Sequence, residues 1–290
     1  MGYYIGTMPA FLSDQLSLAG LPPWLQNYLH TMAFIAIVYA AFLLIERLRP
    51  VEPTNWSSVW LNIRLALVLQ AVIMVLGVWV LPPLLKAAGV VIPGGTGLIK
   101  TASYTQQSLL FVAYLLVYDF LYYWLHRALH RSDALWTIHK LHHTETQVNV
   151  TTTLRVHWLE EVLKLIFIIL PVSLLFDSPP AAAGWLAGIL GLWLFFVHAN
   201  MRISFGPLSW LMVSPATHRI HHSLDPVLSN RNFAVIFPIW DVIFGTYVHP
   251  TKDNWPRTGV TGETAPGFWR ANVAPLSEMA ELATRRKQTQ

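Results

Sequence analysis

The chain has 290 residues, 54% of them hydrophobic and only 12% charged, with 19 Lys and Arg against 15 Asp and Glu. A soluble domain carries roughly 25% charged residues, so the composition points to a membrane protein whose +4 charge suits flanks facing anionic lipid. The absence of cysteine excludes disulfides, thiolate metal sites, cysteine nucleophiles and an iron–sulfur cluster within the chain, and no basic-aromatic array speaks for nucleic acid.

Residues 1–28 read as an extracytoplasmic N-terminal segment. Residues 1–30 contain no Lys or Arg. With no basic region before the apolar stretch there is no sign of a cleavable signal peptide. Gly20-Leu21-Pro22-Pro23 breaks any helix there. Residues 29–107 read as a transmembrane hairpin and loop. One span runs from about Leu29 to Leu44 and stops at Glu46-Arg47-Leu48-Arg49-Pro50. A second runs from about Leu61 to Leu81 and ends at Pro82-Pro83. Each is close to the ~20 residues that a bilayer crossing needs. The loop 84–107 holds Pro93-Gly94-Gly95, a turn without the spacing or lysine of a phosphate loop.

Residues 108–250 form the candidate catalytic region. A third span, Leu109 to Leu125, runs directly into His126. Residues 126–160 are mostly polar. A fourth apolar stretch, Val162 to Phe176, is followed by Asp177-Ser178-Pro179-Pro180, and a fifth, Ala183 to Val197, ends at His198. The last two are short enough for a re-entrant hairpin, so the chain crosses four or five times. Residues 202–290 read as a cytoplasmic cap on the membrane mouth. Within them 251–290 is a cytoplasmic tail, and Arg285-Arg286-Lys287 is solvated or touches anionic lipid. With the N-terminus outside, only Lys86 and Lys100 among the lysines and arginines face outward. That bias puts the histidine-rich segments on the cytoplasmic side. The expected architecture is therefore an all-α, polytopic membrane bundle whose cytoplasmic helical cap holds a histidine-rich dimetal site.

Eight of the twelve histidines fall in three sets: His126 and His130; His139, His142 and His143; and His218, His221 and His222. The spacings i, i+3 and i+4 put each set on one helix face. Imidazole is the common nitrogen ligand of borderline metals. Eight or nine such ligands exceed one tetrahedral zinc and suit two ions with four or five nitrogens each. Nitrogen-rich sites with open positions suit iron that binds oxygen; imidazole also suits zinc, which is possible in a purified form. His198, at a span end, is a candidate ninth ligand. His30 and His249 lack cluster spacing and read as structural.

Asp119 and Tyr123 share a helix stripe with His126 and His130, which makes both candidate catalytic residues. Asp119 is also a candidate to orient a ligand histidine by accepting its other N–H; the competing reading is an ion pair with Arg127 or Arg155. His157 and Glu160, three apart, are a candidate ligand pair or a supporting pair for the ligands, or a plain ion pair at a helix start. Asn200 follows His198 and joins the supporting candidates. Asp241 buttresses a histidine or caps a turn.

Five stretches together resemble the fatty acid hydroxylase and sterol desaturase superfamily: DFLYYWLHRALH from Asp119 to His130; His139 to His143; TLRVHWLE, which ends at Glu160; His198-Ala199-Asn200; and His218 to Tyr247. They cover roughly residues 110–250. One departure is Trp158, where many members have proline after the histidine. The resemblance implies a histidine-bound pair of iron ions and hydroxylation or desaturation of a lipid C–H bond with O2. It implies as ligands His126, His130, His139, His142, His143, His218, His221 and His222, with His198 added. No flavin, nicotinamide or haem site is recognisable, so electrons are expected from a separate partner, a ferredoxin or a cytochrome with its reductase. Two other classes compete. A membrane zinc lipid hydrolase would need a base such as the Glu of HExxH, which is absent. A transporter or metal-binding protein would carry ionisable groups near the midplane of several spans.

Overall fold

The computed structural model describes residues 18, 20–87, 104–176, 191–251 and 255–288. Twelve helical stretches organise these residues: α1 (Pro23–Glu46), α2 (Trp56–Val75), α3 (Leu81–Ala87), α4 (Tyr104–Arg131), α5 (Asp133–His143), α6 (Trp158–Lys164), α7 (Leu170–Leu175), α8 (191–197), α9 (Pro215–His221), α10 (Pro226–Ser229), α11 (Ile239–Ile243) and α12 (Phe268–Gln288). The described residues form no β-strand beyond isolated bridges such as Ser223–Thr258.

Local chemistry sets where the long helices begin. Pro23 occupies the first turn of α1, where its missing N–H costs nothing. Asn55 caps α2, its Oδ1 accepting from Ser57 N (3.1 Å) and Ser58 N (3.3 Å). Ser132 separates α4 from α5 and its hydroxyl accepts from Leu135 N, so α5 restarts one residue after α4 ends.

Three helices are long and apolar enough to cross a membrane: Pro23–Glu46, Trp56–Leu84 and Ser108–Arg131. Of the expected four or five crossings, three are such helices among the described residues, and the remaining crossings would fall on the two short apolar stretches. The expected fourth span lies in α6, a π turn at Leu165–Ile169 and α7. Pro171 lacks an N–H and its ring displaces the carbonyl four residues earlier. The wide turn before it, closed by Leu170 N–H donating to Leu165 O, accommodates that loss. The same device, Leu81 N–H to Leu76 O, precedes Pro82-Pro83. The fifth stretch from Ala183 lies outside the described residues up to 190, as do the Pro93-Gly94-Gly95 turn and residues 1–17. The expected C-terminal tail is largely one long helix, α12.

Two apolar clusters flank the centre. On one side Phe34, Ile35, Val38 and Tyr39 of α1 pack on Ala66 and Leu69 of α2, with Val150, Leu154 and Phe195. On the other, Leu125 and Leu129 of α4 and Ile138 of α5 pack on Ile168, Ile169, Val172 and Phe176. Leu44, Trp60 and Leu109 stay exposed, as lipid-facing positions do. Between the clusters runs a buried polar network. Arg155 donates to Leu141 O (3.0 Å), Asn62 Oδ1 (2.9 Å) and Thr144 Oγ1 (2.9 Å), and lies 3.7 Å from Glu145. Ser58 Oγ and Asn62 Nδ2 donate to Glu145 in turn. Apolar packing alone associates helices weakly in lipid, so these bonds register α2 against the histidine-bearing end of α5.

Candidate metal centre

Three short helices and one span deliver the histidines. His126 and His130 lie one turn apart at the end of α4. His139, His142 and His143 fill the last turn and a half of α5. His218 and His221 lie on α9, started by Ser214 Oγ accepting from Thr217 N with Pro215 behind it, and His222 ends that helix. His198 follows α8.

All nine imidazoles come together, in two adjacent sets. His126, His130, His139, His143 and His221 form one; His142, His198, His218 and His222 form the other. Within each set one ligand atom per residue lies within 4.8 Å of every other. Consecutive α5 residues, His142 and His143, enter different sets, because a helical step of one turns the side chain through about 100°.

The ring nitrogens decide what such a centre holds. His126 Nδ1–H donates to Phe233 O (2.7 Å) and His139 Nδ1–H to Glu160 Oε2 (2.9 Å), which leaves both Nε2 atoms as bare lone pairs. Those two Nε2 atoms nevertheless face each other at 3.1 Å. His221 Nδ1–H donates to Arg231 O (2.9 Å), and its buried Nε2 has no protein partner. In the second set Nε2 of His198 lies 3.2 Å from that of His142 and 2.9 Å from that of His218, while its Nδ1–H donates to Leu194 O (2.8 Å). Facing lone pairs repel unless a cation lies between them. Two imidazole nitrogens each ~2.1 Å from one first-row metal are about 3.0 Å apart at a right angle. The nine nitrogens fit a pair of metal ions.

Burial favours the neutral form, the one a metal requires, in several of these rings. It holds His142, His143, His218 and His222 well below the usual imidazole value. His221 is brought to about 3 and His198 to about 4, again by burial. For Glu160 burial opposes ionisation, but Lys164 at 3.1 Å and His139 outweigh it and hold the carboxylate at about 2. Glu160 is thus an anion that fixes the His139 tautomer, as a supporting carboxylate should.

The other expected supporters sit elsewhere. Asp119 accepts no histidine N–H and pairs with no arginine. Its Oδ1 accepts from Val235 N (3.0 Å) and Ile236 N (3.1 Å) and its Oδ2 from Phe237 N (2.7 Å). Tyr123 touches no histidine nitrogen: its hydroxyl meets Thr246 Oγ1 (3.0 Å) and accepts from Arg127 (2.9 Å). The stripe Asp119, Tyr123, His126, His130 is real, and it docks along residues 230–246. Asp241 acts one backbone unit away, accepting from Phe233 N and Ala234 N (both 2.8 Å), so it holds the peptide whose carbonyl takes the His126 proton. Asn200 ties to the α1–α2 loop through Val51 N and Glu52 N, not to a ring. His157 lies outside both sets; its Nδ1 caps α6 by accepting from Leu159 N (3.3 Å) and its Nε2–H donates to Asn272 O (3.1 Å). His157 thus starts a helix as its cap, and not as the ion-pair partner of Glu160, which binds His139 and Lys164 instead.

Sequence reasoning missed Glu46, whose Oε1 accepts from Val150 N (2.8 Å) and Asn200 N (2.9 Å), bracketing the turn that carries His198. Its only signal was an acidic residue directly after an apolar span. A cavity of about 230 Å³ reaches from His139, His142 and His198 past Glu160 into the spans, between α1, α2 and α6.

Comparison with known proteins adds a family. Residues 111–246 match the fatty acid hydroxylase family. An alkylglycerol monooxygenase of Xenopus tropicalis is 34% identical over 135 residues, 47% of this chain and 29% of that protein. The ornithine lipid hydroxylase OlsE of Rhizobium tropici is 30% identical over 163 residues, 56% of this chain and 49% of that protein. A very-long-chain aldehyde decarbonylase of Oryza sativa is 27% identical over 172 residues, 56% of this chain and 26% of that protein. The chain spans at most about half the length of these relatives. No solved structure matches it.

Proposed function

We propose that the chain belongs to the fatty acid hydroxylase and sterol desaturase superfamily and is a membrane-bound di-iron oxygenase that hydroxylates or desaturates a lipid C–H bond with O2. The observation that carries this is the double nitrogen set, five imidazoles beside four, with bare Nε2 atoms facing each other at the end of a cavity that enters the spans. Relatives named for the hydroxylation of ornithine lipids and the monooxygenation of alkylglycerols support a lipid substrate.

His126, His130, His139, His143 and His221 would hold one iron, and His142, His198, His218 and His222 the other. When bound, the iron pair supplies the activation of O2 for attack on an unactivated carbon. The protein's own part is placement. Phe233 O, Glu160 Oε2, Leu194 O and Arg231 O each hold a proton on the Nδ1 of a histidine and so turn its Nε2 inward. Leu154, Val156, Leu165 and Phe195 line the approach with apolar surface, which excludes water and admits an acyl chain. Electrons come from a separate carrier, a ferredoxin or a cytochrome with its reductase, approaching from the cytoplasmic side.

Lipid mass spectrometry of cells with and without the gene tests the proposal. The expected result is a lipid species that gains one oxygen or loses two hydrogens when the gene is present and reverts with His142→Ala. Lipids identical with and without the gene, or a product retained by inserted His142→Ala protein, would overturn it.

A further inference from the structure

Gln70 is a polar residue where the bilayer offers none. It lies at the midpoint of the span Trp56–Leu84, fourteen residues from either end, or about 21 Å at the helical rise. It is 6% exposed. Its Nε2 is buried and has no hydrogen-bond partner. The side chain lines the cavity that leads to His139, His142 and His198. An unsatisfied amide in hydrocarbon is costly and finds no water beside it, so a residue kept there points to a partner that arrives.

Its neighbours across the cavity are committed elsewhere. Thr31 Oγ1 donates to Asn27 O (2.8 Å) along its own helix, and Tyr28 OH donates to Leu67 O (3.5 Å). Ile73, Met74 and Leu76 continue the wall in apolar surface. Gln70 therefore presents an unpartnered N–H donor into a passage whose adjoining wall on its own helix is apolar, two helical turns deeper than Asn62, which belongs to the network beside α5.

We propose that Gln70 is a specificity-determining residue that donates a hydrogen bond to an uncharged oxygen acceptor, an ester, ether, amide carbonyl or hydroxyl, carried by the lipid whose more distant carbon lies at the histidines. The proposal rests on the lipid-oxidation reading and narrows it to substrates with a neutral polar group deep in the bilayer. A plain hydrocarbon tail leaves the donor orphaned; a charged headgroup costs too much at this depth.

The test uses the full chain as purified, held without O2 or reductant, and two probes: a long-chain methyl ester labelled with carbon-13 at its carbonyl, and the alkane of equal length. Native mass spectrometry of protein offered both reads the preference. Wild type is expected to favour the ester by about tenfold, the scale of one hydrogen bond, and Gln70→Met to lose that preference while still binding alkane. Infrared spectra should show the labelled carbonyl stretch lowered in wild type and not in Gln70→Met. Because Gln70 Nε2 has no partner in the protein, Gln70→Met should melt no lower than wild type. Equal preference in the two proteins, no binding of either probe, or a carbonyl stretch unmoved by the substitution would overturn the proposal. No turnover enters the assay, so its failure is distinct from failure of the oxygenase reading.

Discussion

At the scale of single residues, the second nitrogen of each histidine carries the argument. Among the described residues Glu160 is the one carboxylate that takes the proton of a clustered ring, that of His139. Glu160→Ala should lower metal affinity of the five-histidine set by 10–100-fold, the usual cost of losing such a support; a chelator titration that finds affinity unchanged would contradict this. Asp119 has a different duty. Asp119→Ala strands three buried N–H groups at about 1–3 kcal/mol each, so it should unfold at markedly lower temperature, and the isosteric Asp119→Asn, where it folds, should keep its metal. His157 is tested by pH. Burial lowers its pKa, so as pH falls through about 6.5 the unfolded chain takes the proton first. Its contribution is full above that value and shrinks as pH falls further. His157→Asn keeps a cap that does not titrate, and its unfolding free energy should decline less steeply with acid than wild type's. The histidine sets were legible because i, i+3 and i+4 spacing is written in the chain. The partner of Asp119 was not, because its donors are backbone N–H groups, which every sequence contains.

At the scale of elements, the spans show where periodicity fails. Apolar length left Val162–Phe176 open between a crossing and half of a re-entrant hairpin. Glu160, Glu161 and Lys164 in the first turns and Pro171 behind the π turn make that stretch a broken helix that lines the cavity. Its length, 15 residues or about 22 Å at the helical rise, falls short of the ~30 Å hydrocarbon core. Arg155 was considered as a partner for Asp119. Its real partners, Glu145, Asn62 and Thr144, come from α2 and the end of α5, and no local pattern links them. Arg155→Met should cost about 3–5 kcal/mol, because removing one member of a buried pair leaves the other charge uncompensated. Unfolding in detergent would check it, and a loss below 1 kcal/mol would show that α2 and α5 are held in register by packing instead. The helix α12 went unread for a simpler reason: its polar, Pro275-interrupted sequence gave no apolar stripe, and it is held by Lys140 to Glu278 (3.0 Å) and by Asn272 O to His157.

At the scale of the whole molecule, three apolar helices carry a polar layer in which two nitrogen sets lie side by side, and a cavity runs from that layer in among the helices. The sequence supports a cytoplasmic position for the layer through its lysine and arginine bias. The most direct test of the central claim is Mössbauer spectroscopy, with iron counting, on protein purified at low oxygen from cells fed the Mössbauer-active isotope. Two irons per chain in inequivalent, nitrogen-rich sites, one with five histidines to draw on and one with four, is the predicted result. Zinc alone, a single iron, or iron that survives replacement of both His142 and His143 would contradict it.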